Sequence, residues 1–197
     1  MSSNAPRASR SRAMDQRTSI ALAAVIVFFV VSGALAYLNI RTIRDGNQKV
    51  IQSQQTVTAL SEILSAAQDA ETGQRGFLLT GNERYLEPYR AALASIPARL
   101  ESIRATTQDN VGQQARLKEL TGRLDDKLTE LKETIELRRS RGLDAALVVV
   151  NSDRGKAAMD AVRTQLAGMQ AEELTLRDKR VVEMTAAYGN ALTSGLL

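Results

Sequence analysis

Histidine, cysteine and tryptophan are absent from this 197-residue chain. Without histidine these residues contain no imidazole metal ligand, no imidazole general base and no phospho-accepting histidine. Without cysteine, thiolate catalysis, disulfides and iron–sulfur ligation fall away too, although that absence does not identify the redox compartment. Aromatic residues make up only 4% of the chain and prolines number three. What is plentiful is alanine, leucine, glutamate, glutamine and arginine in long stretches, a composition that favours helices over strands. The length suits one ordinary domain, or one domain plus a membrane anchor.

The formal net charge of +4 is unevenly placed. Arg7, Arg10, Arg12 and Arg17 against Asp15 give residues 1–19 a charge of +3, which leaves +1 for all the rest. No basic face of the kind nucleic acids require is evident, and no nucleic-acid partner is expected. The positive tail instead precedes Ile20 to Leu38, IALAAVIVFFVVSGALAYL, nineteen positions without a formal charge. As a helix this run spans about 28 Å, close to the hydrocarbon thickness of a bilayer. A cleaved signal peptide is the competing reading, but the run is long for one and helical register continues beyond it. The arginines predict a cytoplasmic N-terminus. Tyr37 stands where a ring and hydroxyl bridge lipid and water.

A second uncharged stretch, Met184 to Leu197, reads MTAAYGNALTSGLL and is expected to be the start of a truncated second membrane helix. Its competitor is an apolar helix end belonging to the soluble domain. Between the two stretches, periodicity predicts four helices. Ile43, Val50, Val57 and Leu64 recur every seven residues, with Leu60 and Ala67 as a companion stripe. Thr80-Gly81-Asn82 marks the first corner, Gly81 suiting a left-handed helix end and Asn82 a cap. Pro88 opens the second segment, which carries Leu93, Ile96, Leu100 and Ile103; Pro97 should kink it or reset its start. After Thr107-Gln108-Asp109-Asn110, Leu117, Leu120, Leu124, Leu128, Leu131 and Ile135 give the strongest amphipathic signal. Gly142 predicts a break. Leu143 to Val150 is a dense apolar patch, with Val148 to Val150 open to a short strand. The fourth helix is expected from about Asp153, with Met159, Val162, Leu166 and Met169 inward and Leu174, Val181 and Tyr188 on a shifted face.

Candidate chemistry is sparse. Glu71 and Arg75 are one helical turn apart, an arrangement that usually stabilises a surface by tenths of a kcal/mol, and Asp69 adds a nearby acid. Glu83 and Glu87 lack signs of the desolvation that acid–base catalysis needs. Asp125 and Asp126 point in different helical directions. Gly155-Lys156 lacks the upstream glycine and following hydroxyl of a phosphate loop, and a helix start is the simpler role. No nucleophile, metal set or proton shuttle emerges, so no catalytic, cofactor or metal site is assigned.

The run Asp69-Ala70-Glu71-Thr72-Gly73-Gln74-Arg75-Gly76-Phe77-Leu78-Leu79-Thr80-Gly81, with Tyr85, Pro88 and Tyr89 following, resembles the central signature of CHASE3 extracellular sensory domains. Glu136-Leu137-Arg138-Arg139, Gly142-Leu143-Asp144-Ala145-Ala146 and Arg154-Gly155-Lys156 carry a second similarity, and the resemblance covers residues 39–187. It implies a helical bundle between two membrane helices of a bacterial receptor, a histidine kinase or diguanylate cyclase type, with homodimerisation and no catalytic residues to transfer. Asp69, Glu71, Arg75, Gly76, Phe77, Tyr85 and Tyr89 become candidate signature or sensing residues. Phe77, Leu78 and Leu79 are expected to close the bundle end, with Tyr85 and Tyr89 at its rim.

The expected architecture is all-α: a membrane-anchored antiparallel four-helix bundle whose long helices continue into the transmembrane segments. Its parts are a cytoplasmic tail (1–19), a membrane helix (20–38), a periplasmic sensory bundle (39–183) and the start of the second membrane helix (184–197). The expected partners are the lipid bilayer, a second receptor copy and an unidentified small-molecule or envelope-protein stimulus. The expected role is the sensory input of an inner-membrane receptor, most directly a sensor histidine kinase. A membrane-anchored interaction bundle without signalling output is the alternative.

Overall fold

In the computed structural model, residues 9–194 are described. Five helices follow in order: α1 (Ser9–Thr80), a 3₁₀ turn (Glu83–Leu86), α2 (Glu87–Thr106), α3 (Val111–Arg141), α4 (Leu143–Val150) and α5 (Arg154–Ser194). No strand occurs among the described residues. The chain divides into one unit of residues 48–182 and another of residues 1–47 with 183–197; α1 and α5 contribute to both.

The corners form where local chemistry leaves little choice. Gly81 takes φ 70°, a left-handed conformation that costs other L-residues about 1–2 kcal/mol, and its N–H donates to the Phe77 carbonyl at 2.8 Å. Asn82 Oδ1 accepts from the Arg84 N–H at 3.1 Å and starts the 3₁₀ turn. Pro88 sits in the first turn of α2, where its missing N–H has no intrahelical role. Asn110 Oδ1 caps α3 by accepting from the Gln113 N–H at 3.1 Å. Gly142 ends α3 at φ 86°. Pro97 does not reset the start of its segment: it lies inside α2, which is continuous across it. Leu143–Val150 is helical, so Val148 to Val150 do not form a strand.

In the unit of residues 48–182 the core runs lengthwise between the helices. Leu60, Ile63, Ala67 and Ala70 come from α1, Ala92, Ile96 and Ile103 from α2. The leucines of α3 at 117, 120, 124 and 131 are buried with Ile135, and α5 adds Met159, Val162, Leu166 and Met169. Spacings of three and four keep each stripe inward. The companion stripe of α1 thus fills the centre, while Val50, Val57 and Leu64 are only half-buried. On α5 the stripe steps from Met169 to Glu173, itself buried, so Leu174 and Val181 fall to the side and stay 37% and 40% exposed. Leu93 is likewise 42% exposed rather than in the core, whereas Leu128 is half-buried against it. Where α1 enters and α5 leaves this unit, the Arg180 guanidinium donates to the Lys49 carbonyl and the buried Ser53 hydroxyl at 3.0 and 2.6 Å.

In the other unit, α1 presents the apolar run. One helix among the described residues is long and apolar enough to cross a membrane, with a mean hydropathy of 2.6 in its most apolar window and none of that window buried. Met184 of α5 lies beside Gly46 of α1. The stretch from Met184 is helical to Ser194; residues 195–197, like 1–8 of the Arg-rich tail, lie outside the described residues.

Two glycines separate conformation from propensity. Gly81→Ala should destabilise the protein by about 1 kcal/mol because of its positive φ, whereas Gly122, helical and with open space around it, should gain up to about 1 kcal/mol as alanine. Chemical denaturation of the two variants checks the opposite signs.

Candidate functional site

The signature residues lie along the last three turns of α1 and the start of α2. A Cβ on Gly73 would stand 2.5 Å from the Tyr85 carbonyl oxygen, and one on Gly76 would stand 2.6 Å from the Tyr85 ring. Two glycines one turn apart therefore let the 3₁₀ turn lie directly on α1. Phe77 and Leu78 are buried, 2% and 4% exposed, and close this end as expected; Leu79 is 75% exposed and does not. It falls one residue beyond the buried pair and turns outward with the helical twist. Tyr89 is buried, while Tyr85 remains half-exposed over Gly76.

The end of α3 finishes the closure. Arg138 Nε donates to the Leu78 carbonyl at 2.8 Å, satisfying one of the terminal carbonyls that α1 leaves unpaired. Arg139 lies over the Phe77 ring, 5.5 Å from its centre. Its Nε and Nη2 donate to the two oxygens of Glu83 at 2.7 and 2.8 Å, and Arg90 Nη2 reaches Glu83 Oε2 at 2.6 Å. The sequence places cations at the end of α3, but their principal partners are the carbonyl end of α1 and a carboxylate on the 3₁₀ turn. The Arg139 hydrogen bond, with the positive charges of Arg139 and Arg90, holds the Glu83 carboxyl below its ordinary range. Burial, joined by the charge of Glu136, raises the Tyr89 hydroxyl, against an opposing contribution from Arg139.

Asp69, Glu71 and Arg75 separate into two settings. Asp69 is exposed, with the Ser65 hydroxyl 3.5 Å away. Glu71 accepts from Arg75 at 2.9 Å, but it also faces inward, with Lys127 Nζ 3.4 Å from the same oxygen. Lys127 is 1% exposed. Its ammonium group donates to Glu130 Oε2 at 2.9 Å and to the Gly155 carbonyl at 3.1 Å. A Cβ on Gly155 would meet the Glu130 carboxylate at 2.7 Å, so glycine leaves room for that carboxylate against the first turn of α5. A negative charge there is favoured by the helix dipole. One turn further along α3, Gln74 Nε2 of α1 donates to the buried Thr134 hydroxyl at 2.7 Å.

Lys127, Glu130 and Thr134 escaped the sequence reading because each sits beside a leucine or isoleucine in the strongest amphipathic stripe. The available signal was their spacing of three and four on that inward face, in register with Leu120, Leu124 and Leu131. Among the described residues no group of three or more Asp or Glu side chains is arranged to hold a metal ion. The arrangement binds helices together and offers no nucleophile paired with a base.

Two long helices that run beyond an all-helical bundle closed by a glycine-seated turn define the class of fold. The CHASE3 domain family matches residues 46–183, more than half the chain, and the protein belongs to that family. Among solved structures, the crystal structure of the Rhodopseudomonas palustris histidine kinase HK9 sensor domain is similar. It shares 31% sequence identity over 64% of this chain and 98% of that one, with a TM-score of 0.60. No curated protein matches.

Lys127→Met should cost about 3–5 kcal/mol by leaving the buried Glu130 carboxylate uncompensated, and Lys127→Met with Glu130→Gln should recover part of that loss in urea denaturation. At the surface, Glu83→Gln should lower the melting temperature at pH 7. Because the folded-state pKa of Glu83 is depressed, its contribution is present above the unfolded value near 4.5 and lost as pH falls through the folded value. Melting temperatures of wild type and Glu83→Gln should therefore converge as pH falls below 4.5 and through that depressed folded value.

Proposed function

We propose that this chain is the periplasmic sensory input of a bacterial inner-membrane receptor, with a histidine kinase as its output. The observation that carries the reading is the CHASE3 match over residues 46–183 on a chain whose helix α1 carries, just before it, the uncharged membrane-length run of residues 20–38. The likeness to the HK9 sensor domain supports the choice of output. In this reading the Arg-rich N-terminus stays in the cytoplasm, the stretch from Met184 returns toward it, and two receptor copies associate.

Signal passes by displacement of α1 against α5. A stimulus must bind one helix arrangement more tightly than the other, since equal binding leaves their populations unchanged. The bonds of Lys127 to α1 and α5 and those of Arg180 to α1 hold one arrangement. An axial shift of α5 exchanges them for another set.

The absence of native cysteine makes the test direct. Ser140→Cys should react with a membrane-impermeant maleimide on spheroplasts, and Ser11→Cys only after lysis. Equal labelling of both before lysis would contradict the orientation. With the chain joined to a kinase output, disulfide crosslinking between cysteines placed on α1 and α5 should change efficiency between kinase-on and kinase-off variants. An unchanged pattern would refute displacement.

A further inference from the structure

Along one side of the bundle, α2 and α3 leave an open groove of about 550 Å³, within the range typical of small-molecule sites. Its apolar floor is formed by Leu93 of α2 with Leu128 and Ile135 of α3. Leu93 is an outlier in the packing: it belongs to the inward stripe of α2 by spacing, yet it is 42% exposed because it faces this groove. Tyr89, one turn before Leu93, is 9% exposed and lines the same groove. The ring is buried, while the hydroxyl, which is not among the buried polar atoms left without a partner, is open to the groove and to water there.

The rim supplies the charge criterion. Two acids, Asp125 and Glu136, stand with two bases, Lys132 and Arg139. Arg139 is committed to Glu83 through two hydrogen bonds, and Lys132 stands 3.9 Å from Glu136. Among the described residues, that leaves Asp125, exposed to water at the outer rim, as the one lining charge without an ion pair, and no cation free to neutralise an anionic ligand. An ion laid on the leucine floor would lose hydration without a dedicated counter-charge.

We infer that the groove between α2 and α3 is a binding site for a small uncharged amphipathic molecule, its apolar body on Leu93 and Leu128 and a hydroxyl or carbonyl group at the Tyr89 hydroxyl. The proposal deepens the sensory reading by naming the chemical class of stimulus, and rests on that reading for its signalling consequence. Tyr89 joins the site to the closure: it belongs to α2 immediately after the turn seated on Gly73 and Gly76, and Arg139 lines the groove while lying over Phe77. A ligand there touches the residues that hold the ends of α1 and α3 together.

The test uses the full chain in nanodiscs, with labelled Leu and Ile methyl groups observed by NMR. Three probes of equal shape and different charge are titrated: benzyl alcohol, benzoate and benzylamine. Benzyl alcohol should shift the Leu93, Leu128 and Ile135 methyl signals saturably, and each charged analogue should bind about tenfold more weakly. Tyr89→Phe should weaken benzyl alcohol about fivefold by removing one hydrogen bond. Leu128→Trp, which fills the groove from its half-buried edge, should abolish the shifts while the Leu60 and Leu124 core signals remain dispersed. Absence of a saturable shift, or binding unaffected by Leu128→Trp, overturns the site. A charged analogue binding as well as the alcohol overturns the ligand class, and an unchanged affinity in Tyr89→Phe overturns the hydroxyl's role. These readouts involve no kinase output, so their failure is distinguishable from failure of the crosslinking test of the sensory reading.

Discussion

Lys127 carries a positive charge into a layer of the bundle that water scarcely reaches, and three helices are committed to accommodating it. Glu71 comes from α1, Glu130 from α3 itself and the Gly155 carbonyl from the first turn of α5. Shifting any one helix by a turn, about 5.4 Å, moves a partner out of hydrogen-bond range. Leucine layers tolerate many sliding registers at similar energy; a buried ammonium with fixed acceptors tolerates few. The layer also explains why α5 begins where it does. Gly155 lets the Glu130 carboxylate approach the helix start, and that approach places the Gly155 carbonyl against Lys127.

The two ends of the unit at residues 48–182 are stabilised by different means. At the closed end, arginines of α3 satisfy a carbonyl of α1 and grip a carboxylate on the 3₁₀ turn, over a floor made by Phe77 and Leu78. At the open end the interior becomes polar: Ser53, Thr56, Thr107, Gln113 and Glu173 are buried there. Thr56 and Thr106 hydroxyls meet at 2.7 Å, and Gln113 donates to the Met169 carbonyl at 3.1 Å. The end from which α1 and α5 continue thus depends on directional hydrogen bonds, where the middle of the unit depends on leucine packing.

Much of the architecture was legible because it depends on local chemistry. Gly81, Asn82, Pro88, Asn110 and Gly142 each sit at the boundary their backbone preferences indicate. The leucine stripe of α3 and the first stripe of α5 point inward as their spacing requires. Legibility failed where a helix face has two candidate stripes or where polar residues enter the core. Leu174 and Val181 were apolar and periodic, but the centre passes to Glu173, one residue away. Glu71 looked like half of a surface pair because its partner Lys127 lies 56 positions further along the chain. Gly73 and Gly76 could be recognised as space-makers, although the carbonyl and ring of Tyr85 that occupy the space are visible only once the turn is folded.

The seam between α1 and α2 differs in texture from the rest of the interior. Ala67 and Ala70 on one side face a helix carrying Ala92, and the adjoining groove is lined by Ser65, Ala66, Ala91 and Ser95. Methyl and hydroxymethyl groups project little, so two such surfaces meet as shallow ridges rather than interlocking cogs. They also have few rotamers to rearrange. What keys this shallow seam in place is polar: Arg99 of α2 donates to Glu62 of α1 at 3.0 Å, and the hydroxyls of Thr56 and Thr106 meet across it.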